Sequence, residues 1–187
     1  MAGEGILVLT GPPCAGKSSV ARLLVSDPRG GGRVLVEVDA VFSLLLPESD
    51  RNREDRMLAY DAAHAAACSV WRRGRTPVLE CTYARPQQRA SLVAAVADLP
   101  EVPLWVVELF VTPDVAVRRF RGRAQATDLD ERLVRERAAA FPYADHALRI
   151  ESATADPPEQ VAQIMAWLES RPPTVDRQAW VDAGIDW

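Results

Sequence analysis

The chain has 187 residues, enough for one domain with a sizeable core. Hydrophobic residues make up 48% and charged residues 26%, a balance that excludes a disordered or membrane-embedded chain. A net charge of −4 gives no basic excess to hold a nucleic-acid backbone, and three cysteines without metal-ligand spacing argue against a zinc site or a disulfide framework.

In chain order, the apolar run Ile6-Leu7-Val8-Leu9 reads as a buried strand over about 5–10. Gly11-Pro12-Pro13-Cys14-Ala15-Gly16-Lys17-Ser18 follows and fits G-x-x-x-x-G-K-[ST], the phosphate-binding loop. A helix over 17–26 follows in turn. Strand, glycine-rich loop and helix are what the chemistry needs, because loop N–H groups and the helix N-terminus converge on phosphate oxygens. The cofactor-binding set is therefore Gly11 to Ser18 with Ser19. Lys17 brings a mobile charge toward the β- and γ-phosphates, and Ser18 a hydroxyl for Mg²⁺.

After the breakers Asp27-Pro28-Arg29-Gly30, a second strand is predicted over 34–38. Asp39 stands just past its carboxyl end, where open α/β sheets place ligands. An Asp there takes the proton of a hydroxyl attacking a γ-phosphate, or caps a helix starting at Ala40. Phe42 and Ser43-Leu44-Leu45-Leu46 read as an apolar wall, completed by Tyr60, His64 and Trp71. A long helix over 55–73 is expected to pack through Leu58, Ala62, Ala65, Ala66 and Val70.

A third strand over 77–81 carries Glu80, which offers Mg²⁺ or substrate a carboxylate. Thr82 and Tyr83 follow it into the same crevice, and Arg89 on the next helix (86–97) points the same way. A fourth strand spans 104–111. The helix over 113–123 places Arg119 and Arg123 on one face, a clamp for phosphate oxygens or a solvated basic face. The polar stretch after it completes a lid over about 119–131. A helix over 131–140, a strand over 146–150 and a helix over 158–170 follow; Val161, Ile164, Met165 and Leu168 form the stripe of the last. The tail, 171–187, is expected to dock through Trp180 and Trp187.

The predicted fold is α/β: a P-loop kinase fold with a five-stranded, mainly parallel sheet, a domain over 1–170 and the tail. No apolar run reaches membrane-spanning length and the first residues do not read as a signal peptide, so a cytoplasmic protein with no membrane or nucleic-acid partner is expected.

The phosphate loop, Val36-Glu37-Val38-Asp39, Pro77-Val78-Leu79-Glu80-Cys81-Thr82 and Val117-Arg118-Arg119-Phe120-Arg121-Gly122-Arg123 together resemble the small P-loop kinases grouped with chloramphenicol phosphotransferase, zeta-toxin-like kinases and the kinase domain of phage polynucleotide kinase. The resemblance covers about 5–170. It implies ATP- and Mg²⁺-dependent phosphorylation of a hydroxyl, with Asp39 as base, Lys17 and Ser18 on phosphate and metal, and Arg119 and Arg123 as lid arginines. Two positions depart from it. Polynucleotide kinases carry an arginine three residues after the base, where this chain has Phe42. Glu80 stands where many relatives have Asp. The expected acceptor is thus a compact, uncharged or cationic hydroxylated small molecule, such as an antibiotic or specialised metabolite. A nucleoside or polynucleotide 5′-hydroxyl kinase and a non-catalytic nucleotide-binding regulator are the alternatives.

Overall fold

A computed structural model describes residues 4–99, 102–123, 129–145 and 147–186. The expected His146 and Trp187, and residues 124–128 of the expected lid, lie outside them. The elements are β1 (Ile6–Thr10), α1 (Lys17–Ser26), β2 (Arg33–Glu37), α2 (Val38–Leu45), α3 (Arg53–Arg72), β3 (Thr76–Glu80) and α4 (Pro86–Ala95). They continue with β4 (Leu104–Phe110), α5 (Pro113–Arg121), α6 (Glu131–Ala139), β5 (Leu148–Glu151), α7 (Pro157–Glu169) and α8 (Arg177–Asp182). The strands form one sheet in the order β2-β3-β1-β4-β5, and every neighbouring pair is parallel. Strand β1 has β3 on one side and β4 on the other, so the chain direction switches at its carboxyl end. That is where a parallel sheet opens a crevice.

Strand residues alternate between two apolar layers, as a period of two requires. Ile6 and Val8 face the layer of α2, α3 and α4, with Leu104 and Val106. Leu7 and Leu9 face the layer of α1, α5, α6 and α7, with Val107 and Leu109. Helix α3 departs from the sequence reading. Its buried face is Ala59, Tyr60, Ala63, His64, Ala67 and Cys68, while Leu58, Ala65 and Ala66 are exposed. An alanine-rich helix gives a weak apolar stripe. The true face is marked by residues whose polar atoms find partners inside, such as His64 between Ser91 Oγ (2.8 Å) and the Tyr83 hydroxyl (2.9 Å).

The tail docks, as expected, through Trp180, which is fully buried. Val175 N–H donates to Leu104 O (3.0 Å) and Ile185 N–H to Ala84 O (2.8 Å), which ties the tail to the α4 layer.

Glu108 on β4 faces this same layer with no exposed surface, and its two oxygens accept the Ala144 N–H at 3.0 and 3.1 Å. Burial pushes its carboxyl up to about 7, against the lowering effects of the Ala144 N–H, Arg89 and Arg149. A carboxyl raised in the folded state gives stability that is complete below its unfolded value of 4.5 and is lost as pH rises through about 7. Glu108→Gln keeps an acceptor for Ala144 and removes that ionisation. It is expected to flatten the pH dependence of the urea midpoint, with a difference of up to about 3 kcal/mol emerging by about pH 8. A midpoint profile unchanged by the substitution would assign the titration to another group.

Candidate active site

The phosphate loop leaves β1 through Gly11 at φ 148 and enters α1 through Gly16 at φ 94. A Cβ on Gly11 would stand 2.5 Å from Leu109 O, so only glycine fits that close approach. No side chain caps the N-terminus of α1, which leaves its N–H groups to a ligand. Cys14, at φ 64 and 4% exposed, fills the loop from within. Lys17 Nζ folds back on Gly11 O and Pro12 O, both at 3.0 Å, and Ser18 Oγ donates to Glu80 Oε2 at 3.4 Å. Glu80 is buried, and burial raises its carboxyl above the usual range, with Lys17 lowering it.

Two cavities flank this loop. The first, about 410 Å³, is lined by Pro13, Lys17, Ser18, Asp39, Phe42, Tyr60, Glu80 and Thr82, among others. The second, about 650 Å³, lies between Cys14, Ala15, Gly16 and Ser19 and the turn from Ser152 to Pro157, with Arg119. Arg123 lines both. Arg119 joins the two walls of the second: it donates to Cys14 O (3.2 Å), Ser152 Oγ (2.9 Å) and Ser152 O. This geometry suits a nucleotide laid across the loop, its base end toward the Ser152 turn and its phosphates toward Lys17 and Ser18.

Most expected residues thus gather at one crevice. Asp39 is 79% exposed at its side chain and sits in the first turn of α2, whose N-cap is Glu37 rather than Asp39. Tyr83 and Arg89 do not reach the crevice. Past β3 the chain dips inward, Tyr83 N–H donates to Thr10 Oγ1 (3.0 Å), and the ring is fully buried against His64 and Trp180. Arg89 is fully buried too, donating to Tyr83 O, Trp180 O and Pro142 O. His64 is a core residue, pushed down to about 4 by burial and hence neutral, and Trp71 packs on the core at the far end of α3.

The expected apolar wall does not form. Phe42 is buried and lines the cavity, but Leu44 is 80% exposed and Leu45 49%. A short helix turns them outward. In their place stand Arg51, Arg56, Arg85 and Arg137, none of which the sequence reading picked out. The Ser152 turn was also missed, although the carboxyl end of the fifth strand was a usable signal.

Among the described residues no group of three or more His, Cys, Asp or Glu is arranged to hold a metal, and no helix is long and apolar enough to cross a membrane. Ser18 and Glu80 still suit a partial Mg²⁺ shell completed by phosphate oxygens and water, because a buried carboxylate needs a cation or donors.

The family model for the AAA domain matches residues 6–143. Among solved structures, a protein from Chloroflexus aurantiacus is similar at TM-score 0.72 and 20% identity, over 91% of this chain and 98% of its own. The Mycobacterium tuberculosis APS kinase in complex with AMPPNP and APS is similar at 0.68 and 18%, over 90% and 98%. The tunicamycin resistance protein of Deinococcus radiodurans is similar at 0.65 and 16%, over 88% and 95%. These likenesses show an α/β P-loop fold. No curated protein sequence matches the chain.

Proposed function

The chain belongs to the AAA domain family, and from that premise we propose that it is a Mg-ATP-dependent phosphotransferase acting on a hydroxyl of a small molecule. One observation carries this. Asp39 shares a single cavity with Lys17, Ser18 and Glu80, so an exposed carboxylate faces the phosphate-binding machinery across a space of substrate size. The structural neighbours point the same way: one is a kinase bound to AMPPNP, an ATP analogue, and one a resistance protein for an antibiotic. The setting is the cytoplasm, where ATP is plentiful.

In the step, the acceptor oxygen attacks the γ-phosphorus while the bond from that phosphorus to the bridging oxygen of ADP breaks. The hydroxyl proton passes to Asp39, and the electron pair of the broken bond leaves on ADP. Lys17 leaves the carbonyls of Gly11 and Pro12 for the phosphate oxygens. Arg123, at the junction of the two cavities, stabilises charge on the transferred group. Arg119 holds the loop and the Ser152 turn together. Ser18 and Glu80 would hold Mg²⁺, which would supply positive charge to the nucleotide phosphates.

The test is incubation with γ-labelled ATP and a panel of hydroxylated metabolites and antibiotics, with transferred label followed by mass. The protein should be nearly idle alone and active with its acceptor. Asp39→Asn should lower turnover by about 10²-fold or more and leave ATP affinity unchanged. Slow hydrolysis indifferent to every alcohol would favour a nucleotide-binding regulator. A loss of ATP binding in Asp39→Asn, with normal turnover per bound ATP, would remove Asp39 from the base role.

A further inference from the structure

Another cavity, about 540 Å³, opens at the amino end of the sheet. Arg33, the first residue of β2, lines it together with Trp105 near the start of β4 and with Met165, Leu168 and Glu169 at the end of α7. The strands all run parallel, so these residues stand at the pole of the sheet opposite Asp39 and Glu80.

Arg33 is half-buried, and its one hydrogen bond runs from Nη1 to Met165 Sδ at 2.9 Å. A thioether is a weak acceptor. Nε is closed to water and has no hydrogen-bond partner among the described residues. Burial lowers the pKa of this guanidinium, and the attraction of Glu4 and Asp27 does not make up the loss. The polar groups beside it are better served. Arg29 Nε and Nη2 donate to the Asp27 carboxylate at 3.0 and 2.7 Å, and Trp105 Nε1 donates to Pro172 O at 3.3 Å.

The edge that Arg33 leaves unused, Nε with Nη2, is the edge by which Arg29 holds Asp27 and Arg121 holds Glu131. It matches the two oxygens of a carboxylate. A thioether costs little to leave, so the fork is free to turn toward the cavity. The lining narrows the ligand further. Arg29, Arg33 and Arg171 face Glu4 and Glu169 there, and Asp27 already occupies Arg29, so the surroundings are close to neutral. One anionic charge is matched in such a place, and a second meets repulsion from the two glutamates. Trp105, Met165 and Leu168 give the rest of the ligand an apolar wall.

We infer that this cavity is a second ligand site, which takes a small monocarboxylate: the Arg33 fork holds its carboxylate and its apolar body lies against Trp105 and Leu168. The site is separate from the crevice and does not rest on the phosphotransferase reading.

The test is calorimetric titration of the full chain with benzoate and with hexanoate, an aromatic and an aliphatic monocarboxylate, in chloride at constant ionic strength. Benzamide, of the same shape as benzoate without the charge, and sulfate, with a double charge, are the controls. Saturable binding of at least one monocarboxylate is expected, with benzamide and sulfate each weaker by about tenfold or more. Arg33→Met should weaken the monocarboxylate about tenfold or more, and Arg33→Lys, which keeps the charge but not the fork, should recover only part of that loss. Ligand-free Arg33→Met should melt no lower than the parent, because methionine fills the space without an under-partnered charge. Lys17→Ala, at the phosphate loop, should leave monocarboxylate binding unchanged. Absence of saturable binding of both probes, binding indifferent to Arg33→Met, or binding lost in Lys17→Ala overturns the inference. Sulfate binding more tightly than either probe overturns the monocarboxylate. An Arg33→Met protein that melts well below the parent would show Arg33 to be a fastener of the fold and overturn the site as well.

Discussion

Lys17→Ala is expected to lower phosphoryl transfer by about 10²–10³ or more while the protein stays folded. The two halves of this expectation have separate causes. Lys17 is half-buried, and its Nζ is held by the carbonyls of Gly11 and Pro12 at 3.0 Å, so it contributes no apolar packing to either layer. Both bonds are part-buried and Lys17 itself lines the first cavity, so water can take the place of the ammonium at little cost. The stability change should therefore stay within about 1 kcal/mol, the range of a partly exposed hydrogen-bonding group. Catalysis has no such substitute. The charge on the transferring group grows in a cavity walled partly by protein, where a mobile ammonium outweighs water. The measurement is kcat with γ-labelled ATP, paired with a urea melt of the same sample. Unimpaired transfer by a folded Lys17→Ala protein would detach the phosphate loop from the chemistry.

The elements that set this site were largely legible in the sequence because their signals are local. Gly11, Gly16, Lys17 and Ser18 sit in one loop, and the short apolar runs fixed every strand to within two residues. Asp39 and Glu80 were found by position, at the ends of strands that a parallel sheet must line up. Side-chain direction was not legible. Tyr83 and Arg89 lie within nine residues of Glu80, yet both turn into the core, since their partners (Thr10, His64, Pro142, Trp180) come from remote segments. The same reason hid Arg51. Nothing in the sequence marks a left-handed arginine nine residues beyond Phe42, and only the packing of α2 on α3 brings it onto that ring.

Arg89→Met is expected to cost about 3–5 kcal/mol of stability, the scale of a buried charge network that loses its donor. Arg89 has no exposed surface. Its guanidinium donates to Tyr83 O at 2.8 Å, and to Trp180 O and Pro142 O at 2.6 Å each. One side chain thereby fastens the segment after β3, the segment after α6 and the tail helix α8. Burial lowers its pKa to about 10, with Glu108 opposing, so it remains charged at neutral pH. Methionine fills a similar volume but leaves three buried carbonyls without that donor, each at about 1–3 kcal/mol. For a chain of this length the melting temperature should fall by roughly 2–4 °C for each kcal/mol lost. Arg89→Lys keeps the charge but not the fork, and with one ammonium for three divergent carbonyls it should recover only part of the loss. Urea melts of the three proteins decide the matter. A variant that melts like the parent while its turnover collapses would return Arg89 to the crevice, as an acceptor-binding residue and not a fastener of the fold.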